Sequence, residues 1–364
     1  MKPETNLYNI MEQFTIDSKI TPYGNGHING TYCVEVPRLL LQRINTDVFK
    51  DPDALMENIE NVTEFLRKKI IAAGGDPERE TLHIIKTLDG KNYCTDENNN
   101  FYRMYRFVEN TKIIGSERTY DNIYNAGKGF GRFQKMLSDF PVDRLHETIL
   151  NFHHTPKRVE ALEAAIEANV AGRSASVGAE IAFALEHAKI AGAVVSRMET
   201  GEVPVRVTHN DTKIDNILFD RESGEAICVI DLDTVMPGSM LYDFGDALRM
   251  AGSTGAEDET NLSKVNFDKE AFRAFARGYL EELGDDLTET EFELLPIAPA
   301  LLTYECGIRF LTDHLNGDTY FKIHRENHNL DRARNQFKLV SDILRMQGEL
   351  KSVIAELRQE NNIM

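Results

Sequence analysis

The pattern of apolar and polar positions changes about a third of the way along the chain. Before residue 109, short runs rich in β-branched and aromatic residues predominate, and such runs are typical of β-strands. One longer segment, Ala54–Ile71, has apolar residues at helical spacing and ends at Gly74-Gly75. The first third is therefore predicted to be a sheet with one inserted helix, at about residues 54–72. The predicted strands are Ile28–Val36, Arg38–Ile44, Thr81–Thr87 and Phe101–Phe107. The helix follows the third strand if Phe14–Ile20 is also extended.

After residue 109 the chain consists mainly of long amphipathic segments, which predict helices. The exception is Pro204–Asp233, where two short apolar strands each lead into a cluster of polar residues. Loops that leave rigid strands are common places for chemistry, because the strand fixes the side chain that follows it. The pattern predicts an α+β protein with a mainly β domain at residues 1–109 and a mostly helical domain at 110–364, whose polar end, Lys351–Met364, is expected to fray. The predicted helices are Ile123–Leu137, Val159–Glu167, Gly178–Arg197, Lys269–Glu282 and Leu301–Leu315.

Composition narrows the choice of partners. The chain has 364 residues, with 41 Lys and Arg against 59 Asp and Glu, so its formal charge is −18 and argues against nucleic acid or anionic lipid as partners. The longest nearly continuous apolar stretch, Leu294–Leu302, contains two prolines, whereas a membrane-spanning helix needs about 20 apolar residues. Four scattered cysteines and a polar N-terminus lacking a signal-peptide pattern predict a cytoplasmic protein. The sequence indicates no oligomeric state, and a monomer is compatible with it.

The first polar cluster, residues 208–216, fits the pattern His-x-Asp-x-x-x-x-Asn of a phosphotransferase catalytic loop. In that pattern Asp211 is the base that accepts the proton of the acceptor hydroxyl, and Asn216 is a ligand of the metal ion that bridges the phosphates. Lys213 is placed to neutralise charge on the transferred group. The alternative is an ordinary polar turn, since Asn, Asp and Thr all favour turns.

The second cluster follows the next strand, 20 residues after Asp211. Its sequence, Ile230-Asp231-Leu232-Asp233, puts a carboxylate where this architecture has a second Mg²⁺ ligand. Asp231 is the predicted ligand at the strand end 230–233. For Asp233, a hydrogen-bonding role near the metal and direct ligation are both open.

A glycine-rich turn near the N-terminus is the third element. Glycines let the backbone fold closely over phosphates, and exposed N–H groups bind anions. The turn precedes a strand and the helix that carries Glu60, an order that predicts a nucleotide-binding loop, although such a turn also makes a plain hairpin. His27 is either a substrate contact or a structural histidine. The residues predicted to bind nucleotide here are Gly24, Asn25, Gly26 and Ile28.

Together these motifs resemble those of the aminoglycoside phosphotransferase family, within the protein-kinase-like fold. Several longer strings are similar more narrowly to the N-acetylhexosamine 1-kinases. They are Pro22–Asn29, Arg206–Lys213, Ile230–Met240, Asp243–Asp246, Glu305–Leu311 and Gly317–Phe321.

The resemblance implies a two-lobed fold and ATP-dependent, Mg²⁺-dependent phosphorylation of the C1 hydroxyl of N-acetylglucosamine or N-acetylgalactosamine. It also implies a hinge at residues 107–109, with Phe107 and Glu109 at the adenine. The third strand lacks the lysine of protein kinases, so Gln42 or Arg43 is expected to replace it, and whether the replacement pairs with Glu60 is left open. Strand alternation sets Arg43 on the face of Leu41 and Gln42 on the other, and we expect Arg43 to take the role.

A sugar acceptor requires carboxylates, an amide or arginine, and an aromatic face. Asp243 and Asp246 follow the second cluster, and Glu305, Arg309 and Asp313 fall at i, i+4 and i+8 of a predicted helix. We expect Asp246, Arg309 and, on the next loop, Tyr320 to contact the acceptor. The alternative for the helical triplet is a solvated salt-bridge ladder.

Two other functions remain open at this stage. The first is a kinase of the same family that acts on another alcohol, such as homoserine, choline or an aminoglycoside. The second is a nucleotide-binding regulator without catalysis, against which the presence of Asp211, Asn216 and Asp231 argues.

Overall fold

The computed structural model describes residues 7–24, 29–115, 118–361 and 363. Its contacts divide the chain into two units. The first comprises Met1–Lys112, Asp139–Leu150 and Leu218–Pro237, and the second comprises Ile113–Ser138, Asn151–Ile217 and Gly238–Met364. The predicted domains 1–109 and 110–364 differ from this division, because residues 110–112, 139–150 and 218–237 belong to the first unit. None of the helices in the described ranges has the length and apolar character needed to cross a membrane.

The strands are short and belong mostly to the first part of the chain. An antiparallel sheet in the first unit has the order β1-β2-β3-β6-β4, with β5 also paired to β6. A further sheet has the order β10-β9-β7. The strands are β1 (Ile20–Pro22), β2 (Gly30–Val34), β3 (Leu39–Ile44), β4 (Ile84–Ile85), β5 (Cys94–Thr95), β6 (Phe101–Arg106), β7 (Thr111–Lys112), β8 (Arg206–Thr208), β9 (Ile217–Asp220), β10 (Ala226–Val229) and β11 (Met236–Gly238).

The helices dominate the second unit. They are α1 (Leu7–Glu12), α2 (Pro52–Ala72), α3 (Pro77–Glu80), α4 (Tyr120–Met136), α5 (Thr155–Ala168), α6 (Gly178–Glu186), α7 (Gly192–Glu199), α8 (Met240–Ala251), α9 (Lys269–Leu283), α10 (Glu289–Leu294), α11 (Ala298–Leu315), α12 (His328–Arg345) and α13 (Gln347–Glu360). The predicted fold class, a mainly β N-terminal part with one long helix and a mostly helical remainder, is confirmed.

One face of the large sheet contributes to a hydrophobic cluster of the first unit. The short helix α1, which the apolar pattern did not predict, covers this face with Ile10 and Met11. Leu39 and Leu41 of β3 lie on it and contribute to the same cluster, as period-two alternation requires. Gln42 lies on the opposite face, where it meets Arg103 of β6 in register.

Asn58 of α2 explains why later segments of the chain belong to the first unit. Its buried amide nitrogen donates to the backbone carbonyls of His146 (2.8 Å) and Val235 (3.0 Å), and its oxygen accepts from the His146 N–H. A buried amide that is satisfied by three backbone groups holds all of them in place. The helix itself begins at the N-cap Asp51, whose side chain accepts from the Ala54 N–H, and Gly74 follows its end with φ +80°.

Two helices of the second unit, α4 and α9, touch backbone to backbone. A Cβ atom on Gly127 would lie 2.2 Å from the Phe275 carbonyl oxygen, and one on Gly278 would lie 2.1 Å from that of Tyr124. No real Cβ comes so close, so the glycines at these two positions are required by the packing.

Most predicted helices are present with shifted ends, but two predictions were wrong. The segment 178–197 is broken into α6 and α7, with a short 3₁₀ turn, Ala188–Ala191, between them. The C-terminal segment expected to fray instead forms α13, with Leu350, Val353, Ile354 and Leu357 buried.

Candidate active site

Hydrogen bonds to Asp243 of α8 hold the predicted catalytic loop, residues 208–216, in place. The Asp243 carboxylate accepts the backbone N–H groups of His209 (2.9 Å) and Asn210 (2.7 Å) and the side-chain amide of Gln134 (2.6 Å). The Thr212 hydroxyl donates to the Asp243 carbonyl. Asp243 is 1 % exposed. The sequence placed it among acceptor residues, but its burial and bonds make it a support of the loop.

Within the loop, Asp211 is surrounded by positive charge and amide donors. Lys213 Nζ lies 2.7 Å from Asp211 Oδ1, and Asn216 Nδ2 donates to both the carbonyl and the carboxylate of Asp211 at 2.8 and 3.1 Å. Burial opposes ionisation, but Lys213 outweighs it and lowers the pKa of Asp211, while Asp211 in turn raises the pKa of Lys213. The carboxylate is therefore ionised and able to accept a proton.

Asn216 is oriented by these bonds. Since its amide nitrogen is turned toward Asp211, the amide oxygen is the atom left to bind a cation. Amide and carboxylate oxygens are ligands suited to Mg²⁺, which takes one or two protein ligands and completes its shell with phosphates and water. The described residues contain no group of three His, Cys, Asp or Glu side chains arranged for a metal ion.

The acceptor candidate Asp246 lies one turn after Asp243 on α8. Its Oδ1 accepts from Arg249 Nε at 2.9 Å, whereas its buried Oδ2 has no hydrogen-bond partner among the described residues. Arg249 also donates to Glu257. A buried carboxylate oxygen without a donor is costly, which makes it a place where a ligand hydroxyl would be stabilised.

The predicted triplet on α11 is present, but it is not a salt-bridge ladder. Glu305 pairs with His153 at 2.7 Å and accepts from the Thr155 hydroxyl at 2.6 Å. Asp313 accepts the backbone N–H groups of residues 319, 320 and 321 and the amide of Asn329. Each carboxylate therefore has partners other than Arg309.

Arg309 is half-buried between two aromatic rings. Its guanidinium carbon lies 5.8 Å from the ring centre of Phe152 and 5.5 Å from that of Phe321. Within the described part of the chain it makes no hydrogen bond or ion pair, so its donors are available to a ligand. Asp313 shapes the loop that presents Tyr320, whose ring packs edge-on against Phe321 while most of the residue is exposed.

In the first unit, Asp231 follows β10 in the left-handed region, with φ 59°. This conformation suits Asp or Asn better than most residues. Asp233 is buried, accepts from the Asn29 amide at 2.7 Å and forms an ion pair with Arg103 at 2.5 Å. These contacts fit the hydrogen-bonding role that was left open for Asp233.

Arg43 and Glu60, whose pairing the sequence left open, do not pair with each other among the described residues. Arg43 donates to Asn100, and Glu60 pairs with Lys86 and accepts from Asn92. Burial opposes ionisation of Glu60, but the bonds from Lys86 and Asn92 lower its pKa.

The buried cation of the sheet is Arg103, which is 1 % exposed and held in place by Gln42 Oε1 at 3.0 and 3.1 Å. Sequence reasoning missed Arg103 because it searched β3 alone. Register with Gln42 was the signal that could have found it.

The predicted hinge is ordered by cationic and aromatic contacts. The Arg38 guanidinium lies 3.8 Å from the Phe107 ring centre and pairs with Glu109 at 2.9 Å. Tyr23 packs edge-on against Phe107. Gly24 has φ +74°, as a tight turn requires. The predicted residues Asn25, Gly26, His27 and Ile28 lie outside the described residues.

The chain is similar to known proteins in its sequence pattern and in its fold. A family model described as a phosphotransferase enzyme family matches residues 19–291. Among solved structures, a microcompartment-associated aminopropanol kinase has 15% identity and a TM-score of 0.63, with 94% of this chain and 96% of that chain covered.

Two further structures are similar. A spectinomycin phosphotransferase in complex with ADP and spectinomycin has 14% identity, coverage of 96% and 100%, and a TM-score of 0.58. A choline/ethanolamine kinase family protein from Mesorhizobium loti has 15% identity, coverage of 94% and 92%, and a TM-score of 0.52. At these identities the likeness shows the fold alone.

Proposed function

Because the chain belongs to the phosphotransferase enzyme family, we propose that it is an ATP-dependent kinase of the anomeric C1 hydroxyl of N-acetylhexosamines. The family supports a kinase that acts on an alcohol. The sugar acceptor is our proposal, and the charges of the second unit support it over cationic alcohols.

The observation that carries the catalytic part is the ionised Asp211 beside Lys213 and Asn216. In the proposed reaction Asp211 orients the acceptor hydroxyl and takes its proton. The hydroxyl oxygen bonds to the γ-phosphorus as the bond to the β–γ bridging oxygen breaks, and ADP leaves with that electron pair. The Lys213 ammonium offsets negative charge on the transferred phosphoryl group.

Nucleotide and metal binding complete the proposal. Asn216 and Asp231 would hold Mg²⁺, which when bound neutralises charge on the phosphate oxygens. The turn with Gly24, Asn25, Gly26 and Ile28 would cover the phosphates, and the backbone of Phe107–Glu109 would form hydrogen bonds with the adenine. The structure gives neither Arg43 nor Glu60 a contact that supports the predicted nucleotide role.

The acceptor proposal rests on how charge is paired in the second unit. Three carboxylates each have their own cation: Asp211 with Lys213, Asp246 with Arg249, and Glu305 with His153. Two further arginines, Arg158 and Arg309, have no carboxylate at ion-pair distance among the described residues.

Arg158 and Arg309 also influence each other. Burial and the charge of Arg309 lower the pKa of Arg158, and Arg158 Nε is buried without a hydrogen-bond partner in the described chain. The charge of Glu305 acts on both arginines, but Glu305 is paired with His153, and two neighbouring guanidinium groups disfavour an ammonium group and suit neutral oxygens. This argues for a neutral polyol and against choline or an aminoglycoside as the acceptor.

The shape and chemistry of the same residues suit a sugar. Arg309 offers donors, Asp246 Oδ2 offers an acceptor, and Phe152 and Phe321 offer apolar faces for ring carbons and an acetamido methyl group. Tyr320 is exposed at the edge, where its ring would cover the sugar. His27 is a proposed contact from the sequence alone.

The test is an acceptor panel in an assay of ADP release with ATP and Mg²⁺. The panel holds N-acetylglucosamine, N-acetylgalactosamine, glucosamine, homoserine, choline and an aminoglycoside. We expect turnover with the N-acetylhexosamines, far less with glucosamine at a pH where its amine is charged, and a ³¹P NMR coupling pattern of an anomeric phosphate. Turnover confined to the amino alcohols would overturn the sugar proposal, and no turnover with any acceptor would favour the regulator.

A further inference from the structure

His153 connects the helix that carries Arg309 to the catalytic loop. It lies just before α5, and its ring is buried between two acceptor atoms. Nδ1 lies 2.7 Å from Glu305 Oε1 of α11, and Nε2 lies 3.1 Å from the carbonyl oxygen of Asn210. The ring also packs against Phe152 and Tyr242. No motif in the sequence singled out this residue.

The two partners determine the protonation of the ring. A carbonyl oxygen only accepts hydrogen bonds, so Nε2 carries a proton, and a carboxylate at 2.7 Å requires a proton on Nδ1 as well. His153 is therefore an imidazolium that donates in two directions. The second oxygen of Glu305 accepts from the Thr155 hydroxyl, which fixes the carboxylate.

Asn210 is the residue that this arrangement immobilises. Its N–H is held by Asp243 and its carbonyl by His153, so both of its backbone polar groups are fixed from different elements. It has φ 67°, a conformation that needs such support in a residue other than glycine. Asp211 follows directly, and a reorientation of the peptide plane between Asn210 and Asp211 would move the Asp211 carboxylate.

We propose that His153 is a positioning residue for phosphoryl transfer, whose imidazolium fixes the Asn210 backbone and hence Asp211 relative to α11. This role rests on the proposed function of Asp211 as the base. Placement errors of about 1 Å at a reacting group cost about 100-fold in rate. Loss of His153 is therefore expected to reduce kcat and leave ATP binding intact.

The experiment compares His153→Gln with His328→Gln. His328 is also buried, in the same unit, and lies 3.0 Å from a carboxylate, that of Asp258, but among the described residues it makes no hydrogen bond to the catalytic loop. We expect His153→Gln to lower kcat about 10- to 100-fold with an unchanged KM for ATP, and His328→Gln to keep kcat. Equal kcat in both variants and the wild type would overturn the positioning role.

A comparison of single and double variants and a hydrogen-exchange measurement provide two further tests. Glu305→Gln should lower kcat too, and the double variant with His153→Gln should lose little more, because both changes break one connection. Additive losses would contradict this.

Hydrogen exchange of the backbone amides in residues 208–216 should be faster in His153→Gln than in His328→Gln, even where no acceptor is turned over. Unchanged exchange would overturn the inference, whereas a wild type inactive on every sugar would overturn only the proposed function.

Discussion

Arg103 and Asp233 form an ion pair in which both side chains are almost wholly buried, with 2.5 Å between Nη1 and Oδ1. Arg103 lies on β6 and Asp233 lies two residues after the predicted metal ligand Asp231. Burial opposes the charge of Arg103, but Asp233 outweighs it and raises the pKa of the guanidinium. The pair thus connects the segment after β10 to β6 of the large sheet. Arg103 lies beside Gln42, one of the two residues considered as the replacement for the β3 lysine.

Arg103→Met is expected to destabilise the first unit by about 3–5 kcal/mol, because it leaves the Asp233 carboxylate buried without a cation. Urea unfolding measures the loss. The matched control is Arg106→Met on the same strand, whose half-exposed pair with Glu78 is worth at most about 1 kcal/mol. The double variant Arg103→Met with Asp233→Leu should recover stability, since no charge is left unpaired. Equal costs for Arg103→Met and Arg106→Met would contradict the structural role of the pair.

Asp211→Asn tests the proposed base. The amide keeps the size of the side chain but cannot take the hydroxyl proton, so kcat should fall about 10²- to 10⁴-fold while ATP affinity is kept. Asp215→Asn, an exposed aspartate of the same loop, is the control and should keep kcat. Steady-state kinetics on both variants decides the point, and near-normal turnover of Asp211→Asn would remove Asp211 from this role.

Asp231→Asn tests the proposed metal ligand without disturbing the backbone, because asparagine tolerates φ 59° as aspartate does. ATP binding measured by calorimetry should weaken at least about 10-fold in Mg²⁺ and stay unchanged in EDTA. Equal ATP affinities of the wild type and Asp231→Asn in the presence of Mg²⁺ would exclude Asp231 as a ligand.

The pair of His153 and Glu305 makes a pH-dependent contribution to stability. Burial opposes the charge of His153, but Glu305 and the two hydrogen bonds raise its pKa. The stabilisation is therefore complete below the unfolded value of about 6.5 and is lost as pH rises through the raised pKa.

Glu305 behaves in the opposite sense. Burial disfavours its charge, but the charge of His153 lowers its pKa, so its contribution is complete above about 4.3 and is lost at more acidic pH.

Other ionisable groups that interact with these two are Asp246, Arg158, Arg309 and Tyr242, and burial raises the pKa of Tyr242 further from the neutral range. We expect the difference in thermal midpoint between the wild type and His153→Gln to be larger at pH 6 than at pH 9.5. A difference that is constant over this range would show that the histidine is not charged in the folded protein.

The sequence predicts what local spacing determines. The periodicity of α2 and α11 depends on residues a few positions apart, and these two helix predictions match the elements that the structure contains. Asp243, Arg103 and His153 were missed or misassigned because the hydrogen-bond partners that define their roles lie 31 to 152 residues away. Charge spacing on α11 predicts that Glu305, Arg309 and Asp313 share a face, but it cannot tell that both carboxylates are satisfied by other elements.

Because both carboxylates have other partners, a change at Arg309 can test its proposed role as an acceptor residue, the assignment that depends most on helix spacing. Since Glu305 and Asp313 do not pair with it, Arg309→Met should leave no unpaired buried carboxylate and should keep the thermal midpoint close to that of the wild type. The methionine keeps the apolar contact with the rings of Phe152 and Phe321 but removes the donors.

If Arg309 donates a hydrogen bond to the sugar, the KM for the sugar should rise about 10- to 150-fold in Arg309→Met, because a charged hydrogen bond is worth about 1.5–3 kcal/mol. The KM for ATP should stay the same. Arg358→Met is the control, because Arg358 also lies over an aromatic ring, that of Phe292, in the same unit. Its pair with Glu289 is on the surface, so neither KM should change. Measuring both KM values and the midpoint on one preparation separates the cases, and an unchanged sugar KM in a stable Arg309→Met protein would refute the ligand role.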